Sequence, residues 1–290
     1  MADLKISRRQ FALLTGSGLV ARQTARAQSG ALTAGQVVER IQKQVRIPWN
    51  PKTYRDTFKI GGPEMPVNGI VSTFMSTLDV LQRAVASGKN MIVTHEPTFW
   101  SDADEVKDLG GDPMYQFKLA FAQKNNLVVW RFHDHWHARK PDGIFEGWNR
   151  ALGWEQYQAA GDQRVWNIPP ATLESVAQHV AKVLDSRSVR VIGDPQLKVS
   201  KVGRGAHTLA GNMAVLPNVD LLLVSEAREW DSIEYVRDAV LAGEKKGMIL
   251  ISHEAGEEAG MDNCAKWLRS FITEVPVEFI ATGDAFWRPA

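Results

Sequence analysis

The chain has 290 residues, 44% of them apolar, enough to bury one large core or two of moderate size. With 34 Lys and Arg against 33 Asp and Glu, the net charge is +1; no basic block stands out, which disfavours nucleic acid as a partner. The single cysteine, Cys264, excludes an internal disulfide and thiolate-rich zinc sites, so any metal site must be built from His and carboxylates.

The first residues read as a processed leader. Paired Arg8 and Arg9, a modest apolar stretch from Phe11 to Ala21 and the small-x-small run Ala25-Arg26-Ala27 are similar to a twin-arginine export signal. Residues 1–27 are expected to be removed, leaving mature protein from near Gln28 in the periplasm or exported. Beyond this leader no apolar run approaches the ~20 residues that span a bilayer, so no membrane association is expected after cleavage.

From Ala31 to Val45 the spacing of Val37, Val38, Ile41 and Val45 predicts a helix, and "NGIVSTFM" a strand. Thr77 is placed to cap a helix with Leu78, Leu81, Ala84 and Val85 on its core face, stopped by Gly88. "NMIVT" follows as a buried strand, then a polar loop, a helix near 113–125 and the strand "LVVWRFH". Past "GDQRVWNIPPATLES" the pattern restarts. Leu173 to Leu184 reads as a helix, "SVRVIG", "KVSKVGRG" and "VDLLLVSE" as strands. Ile233, Val236, Ala239 and Val240 line the next helix, which ends at Gly243 before the strand "GMILIS". A last helix near 258–272 buries Met261, Ala265, Leu268 and Phe271 or Ile272, and "VEFIAT" closes the chain. Strands alternating with helices imply right-handed crossovers and largely parallel sheets. The expected architecture is two similar α/β domains, 28–160 and 161–290, with a metal site between them.

Two segments support that symmetry. "VLQRAVASGKNMIVTHE" and "YVRDAVLAGEKKGMILISHE" share helix, glycine stop, polar turn, apolar strand and a terminal His-Glu, as a diverged repeat of one α/β unit would. Ligands of parallel α/β sheets sit beyond the carboxyl ends of strands, where both His-Glu pairs fall. A third strand end carries "FHDHWH" at 132–137. Five of the seven histidines (His95, His133, His135, His137 and His253) thus occupy three strand ends, a donor pattern suited to Zn, Mn or Fe. His179 and His207, in a helix and a loop, read as structural or surface residues. Cys264 lies within an amphipathic helix, and no Walker or dinucleotide glycine pattern is present.

These motifs resemble those of the Nif-three-like dinuclear metal-centre family, also called GTP cyclohydrolase I type-two-like, over roughly residues 35–287. "THEP" is similar to the family's Thr-His-His-Pro at His95 and Glu96, and "HDHWH" followed by "PDGIFEGWNRALGW" to its His-x-x-x-Asp strand end. "SHEAGEE" matches Gly-His-x-x-x-Glu at His253 and Glu257, and "VSEAREWDSIEYV" the Thr-Gly-Glu strand end at Glu226. The chain departs from the pattern in two places: Glu96 replaces the second His, and His137 replaces the Asp. The resemblance implies a ligand set of His95, Glu96, His133, His137, His253 and Glu257, holding one or two divalent transition ions per chain. Asp134, His135 and Glu254 remain alternatives; Glu257 is preferred to Glu254 because neighbours of a strand-end His often point to the opposite face. Asp102, Asp104 and Glu226 are candidate partners of the ligands. The resemblance also implies a homo-oligomer, a hexamer. The leading expectation is a hydrolase in which metal-activated water attacks a small polar substrate, with Glu226 or Glu257 moving the proton and Trp100, Trp136 and Trp148 walling the pocket. The alternative is a non-catalytic protein whose ions hold two domains together.

Overall fold

The computed structural model describes residues 30–286; the expected export signal lies outside them. The first sheet is built from two successive crossovers. Helix α1 (Ala34–Gln44) starts at a capping box between Thr33 and Gln36 and buries Ala34, Val37, Val38 and Ile41. Strands β2 (Ile70–Met75), β3 (Met91–Glu96) and β4 (Val128–Arg131) run parallel, joined by α2 (Leu78–Ala86) and α3 (Pro113–Lys124). Almost every residue of these strands is buried, which is why they read as unbroken apolar runs rather than alternating ones. Strand β1 (Phe58–Ile60) adds to the outer edge of β4 antiparallel. After β4 come two short helices, α4 (Asp134–Ala138) and α5 (Gly143–Leu152), the second capped by the Asp142 carboxylate accepting from the Ile144 and Phe145 amides.

The second sheet has strand order β5-β7-β8-β9-β6. It comprises β5 (Val165–Thr172), β6 (Arg190–Ile192), β7 (Lys198–Arg204), β8 (Leu221–Val224) and β9 (Gly247–Leu250). Strands β7, β8 and β9 are parallel, and the antiparallel β5 and β6 form the edges. Pro169 and Pro170 are accommodated because β5 is an edge strand whose register shifts between Asn167 and Ala171. Helices α6 (Leu173–Val183), α7 (Leu209–Val215) and α8 (Glu234–Leu241) complete this unit. The repeated sequence unit corresponds to α2-β3 in the first sheet and α8-β9 in the second. Among the described residues no helix is long and apolar enough to cross a membrane.

The division at 160/161 needs correction at its C-terminal end. After β9 the chain leaves the second sheet along α9 (His253–Arg269), which starts five residues before the expected position, and ends in β10 (Val277–Phe279). Strand β10 pairs parallel with β2, giving the first sheet the order β1-β4-β3-β2-β10. Met261, Cys264, Ala265 and Leu268 of α9 share one core with Ile70, Met91 and Trp130 of the first sheet. The larger of these, such as Met261 and Leu268, contribute about 1.5–3 kcal/mol each on burial, and that core decides where the chain end goes. The second sheet is therefore inserted between α5 and α9.

Helices α5 and α9 meet at glycines. A side chain at Gly147 would strike the backbone of Ala259 and Gly260, and one at Gly260 would strike Ile144. This close crossing carries the N-terminal turn of α9 across the gap between the sheets. There Gly256 abuts Ser225 at the end of β8, while Ile251 and Ala255 join the second core. The carboxyl ends of β3 and β4 thus face those of β7, β8 and β9.

Candidate metal centre

Two geometries deliver the side chains. His95 and Glu96 end strand β3, with His95 fully buried. The other candidate ligands come in pairs four residues apart on helical turns, which places both members on one face. His133 caps α4 and His137 follows one turn later, its amide donating to the His133 carbonyl at 3.1 Å. His253 and Glu257 form the same pair in the first turn of α9. The reason Glu257 reaches the site and Glu254 does not is therefore helical periodicity, since α9 begins at His253 itself; the alternation of a strand does not apply there. The same geometry removes His135 from the site. Its ring stacks on Trp49 at 3.6 Å, Nδ1 meets Asp56 at 2.5 Å, and Nε2 accepts from the Asn50 amide at 2.8 Å.

The reactive atoms converge. His95 Nε2 lies 3.2 Å from His137 Nε2 and 3.3 Å from Glu257 Oε2, which in turn is 3.3 Å from His253 Nε2. Glu96 Oε1 lies 3.5 Å from His133 Nε2 and 3.9 Å from His253 Nε2. Three overlapping groups could each hold an ion: His95-His133-His137, His95-Glu96-Glu257 and His207-His253-Glu257. Glu257 belongs to two of them, and Glu96 touches an imidazole from each side. The two carboxylates are thus placed to link the groups.

The donor set fits a divalent cation on two observations. His253 Nε2 and Glu257 Oε2 are buried and face each other at 3.3 Å, yet neither makes a well-aligned hydrogen bond among the described residues, an arrangement that a cation between them would relieve. The rings on the first sheet are also fixed from behind. His95 Nδ1 donates to the Phe132 carbonyl at 3.0 Å, His137 Nδ1 to Asp142 at 2.9 Å and His133 Nδ1 to Asp134 at 3.0 Å. In a neutral ring each then presents an Nε2 lone pair inward, so the 3.2 Å approach of His95 and His137 sets lone pair against lone pair. Two imidazoles on one ion at ~2.0–2.1 Å bonds stand about this far apart.

Electrostatics without an ion point the same way. Burial would lower the His253 pKa, but the Glu226 and Glu257 carboxylates at 3.3 Å and the charge of Glu96 outweigh it and hold it at about 10. Burial would raise the Glu257 carboxyl; His253 and His95 instead drive it well below the usual range. Burial lowers His95. A proton on His253 among three carboxylates occupies the place of a positive charge that a metal would take over.

Other residues fall in different places from those expected. Glu226 sits 3.3 Å from His253 Nδ1 with a half-exposed side chain, and its hydrogen bond to His253 lowers its pKa. That direction suits a carboxylate orienting His253, not a proton shuttle tuned toward neutrality. Asp102 and Asp104 touch Arg131 rather than any imidazole, and Arg131 in turn holds Glu96 at 3.1 Å. Trp136 and Trp148 are wholly buried in the cores, and Trp100 lies over Lys118, away from the ligands. His179 is structural, bonded to the Leu152 carbonyl at 2.8 Å and stacked on Trp154. Burial pushes the Cys264 thiol up to about 12, which rules it out as a nucleophile.

His207 is the residue the sequence reading missed. It follows β7, packs edge-on to His253 with centroids 4.5 Å apart, and meets Ser225 Oγ at 2.9 Å. The available signal was positional: His207 comes just past the carboxyl end of a strand, as the other site histidines do. A cleft of about 410 Å³ opens onto these groups, lined by Glu96, His133, His137, His207 and Glu257 together with Phe145, Arg164 and Arg204.

Fold and site together define an α/β protein of two facing, mostly parallel five-stranded sheets with His/Glu groups able to bind metal where the strand ends meet. The chain belongs to the Duf34/NIF3 (NGG1p interacting factor 3) family, whose model matches residues 33–284. It is 25% identical over 151 residues to a "GTP cyclohydrolase 1 type 2 homolog" of Clostridium acetobutylicum. That match covers 48% of this chain and 55% of the relative, so the chain spans about half the length of the curated relative it matches. A Bacillus cereus protein related to NIF3 shares the fold at a TM-score of 0.70 and 14% identity, covering 90% of this chain and 100% of that one. A Staphylococcus aureus hypothetical protein does so at 0.69 and 15% identity, with the same coverage.

Proposed function

We propose that the protein is a metal-dependent hydrolase for a small polar substrate, with two divalent transition ions (Zn, Mn or Fe) held between the sheets. The observation that carries this reading is the cleft: Glu96, His133, His137, His207 and Glu257 line it, so the donor groups are reachable from outside. Structural metal sites are closed, whereas catalytic ones keep a position open. The extra imidazole that could close this one, His135, is held elsewhere by Asp56 and Trp49. When bound, a pair of such ions supplies Lewis acidity and an activated water. The chain's own residues do the rest. Glu96 and Glu257 bring the two halves together, and the oxygen partners of the Nδ1 atoms hold the rings in one tautomer. Glu226 orients His253. His207, at the cleft wall, is held by Ser225 Oγ at 2.9 Å, and burial lowers its pKa, which favours the neutral ring there.

The relative's name makes nucleotides one class to test beside cyclic amides and phosphoesters. Metal-loaded protein is expected to turn over a member of this panel, and His253→Ala to abolish the activity. Turnover that persists in the variant, or none at all from fully loaded protein, would contradict the reading. The same proposal places the protein outside the cytoplasm by residues 1–27, and as a homo-oligomer, a hexamer by family resemblance. Light scattering that reports a monomer at micromolar concentration would remove the second point. A fusion of residues 1–27 to a reporter that stays in the cytoplasm would remove the first.

A further inference from the structure

Arg204 ends strand β7 inside the cleft and has work left undone. Its side chain is 7% exposed, and its guanidinium carbon lies 3.6 Å from the Phe145 ring centre and 4.8 Å from that of Trp148. Nη2 approaches Glu257 Oε1 at 3.7 Å, too long for a hydrogen bond, and Nη1 is buried with no partner among the described residues. Glu257 does not need this arginine for neutralisation, because His95 and His253 already meet its other oxygen at 3.3 Å each. Phe145 and Trp148 pack against the guanidinium and restrict it, and its remaining donors form a planar fork that matches a carboxylate or phosphate.

The surroundings extend this. Arg164 lines the same cleft, and a second, larger cleft of about 760 Å³ adjoins it, sharing His137, Phe145 and Arg164. Lys140 lines that neighbour and has no ion pair among the described residues. The acidic groups of the neighbouring cleft are already engaged. Asp142 holds His137 and caps α5, Asp162 pairs with Arg164, and Glu155 lies 3.6 Å from Arg150. Cationic donors without partners therefore lie deep at Arg204 and at the rim at Lys140, beside the metal ligands.

We propose that Arg204 is an oxyanion anchor, so that the substrates are small molecules carrying a phosphate or carboxylate, with the reacting bond toward His133 and His137 and the remainder in the larger cleft. The substrate class rests on the hydrolase reading above; the anchor itself does not.

The test is isothermal titration of the full mature chain with inorganic phosphate and, separately, acetate, in metal-free and zinc-loaded forms, with zinc content measured on each sample. Wild type is expected to bind one of the two anions in both forms, which decides between phosphate and carboxylate. Arg204→Gln should weaken that binding at least tenfold at unchanged zinc content. Arg204→Lys, which keeps the charge but not the fork, should fall between them, and Lys140→Gln should lose about threefold. Equal affinity in wild type and Arg204→Gln overturns the anchor, as does a loss of binding that only follows a loss of zinc. Should Arg204→Gln fail to fold, Arg204→Lys with wild-type affinity overturns it equally. If wild type takes up no zinc yet binds the anion through Arg204, the hydrolase reading fails and the anchor stands.

Discussion

The two halves of the candidate centre are built to different standards. On the first sheet, His95, His133 and His137 each have Nδ1 held by an oxygen of the protein, and His95 is wholly buried. On the second, His253 relies on Glu226, whose side chain is 56% exposed, and His207 faces the cleft with 38% of its side chain exposed. The first half is a fixed set of donors. The second arrives on α9 and on a strand end, and is completed only when the inserted sheet docks. On the proposed reading, an ion would be gripped first and more tightly on the first sheet, with Glu96 and Glu257 coupling the second position to it.

The largest effect that could break this comparison is at the residue common to both sides. His95 touches His137 and Glu257, so His95→Ala should empty both positions, whereas His253→Ala should leave roughly half the metal. Elemental analysis of the two purified variants checks this, and equal loss in both would erase the distinction. Next come the carboxylates behind the rings. Asp142→Asn removes a 2.9 Å acceptor from the His137 ring and should weaken metal binding about 10- to 100-fold. Glu226→Gln should lie at or below the bottom of that range, because solvent can replace an exposed partner. Competition against a chelator reads both, and the reverse order would sink the account of why the halves differ.

Acid–base behaviour sharpens the comparison further. In metal-free protein the folded His253 pKa of about 10 stands above its unfolded value, so the folded state binds the extra proton between them. Its stabilisation is fully present below the unfolded value of ~6.5 and is lost as pH rises toward 10. Stability of the metal-free protein should therefore fall between pH 7 and 9 by on the order of 2 kcal/mol, given that partial exposure screens the group. Loading with metal displaces that proton and should flatten the profile. Urea unfolding at both pH values, with and without zinc, tests the sign. The smallest effect on metal is expected at His135: substitution by Asn should leave occupancy unchanged while destabilising the fold by about 1–3 kcal/mol through loss of the ring's bonds to Asp56 and the Asn50 amide.

Much of this arrangement could be read from residues, and the limits have physical causes. Apolar runs closing in His-Glu exposed the strand ends, because buried parallel strands are uniformly apolar and their carboxyl ends carry ligands. The pairing of His133 with His137 and the exclusion of His135 depend on a helical turn only five residues long, too short to leave a periodic signal. Strand β10 is three residues, and nothing local to Val277–Phe279 says which sheet it joins; the core formed by Met261, Cys264 and Leu268 decides that. His207 stands alone in sequence, and its neighbours His253 and Ser225 come from other strand ends. Aromatic residues misled for a related reason: Trp136 and Trp148 are near in sequence to the ligands but fill the cores, and it is Phe145 that faces the cleft.

The central claim is that the two sheets share one dinuclear centre through Glu96 and Glu257. Anomalous diffraction from crystals of zinc-loaded protein tests it most directly. The account expects two peaks about 3.5–4 Å apart, one within bonding distance of His95, His133 and His137 and the other of His253, with a Glu257 oxygen reaching at least one of them. A single peak bound by residues of one sheet alone, or two peaks too far apart for either carboxylate to touch both sides, would contradict it.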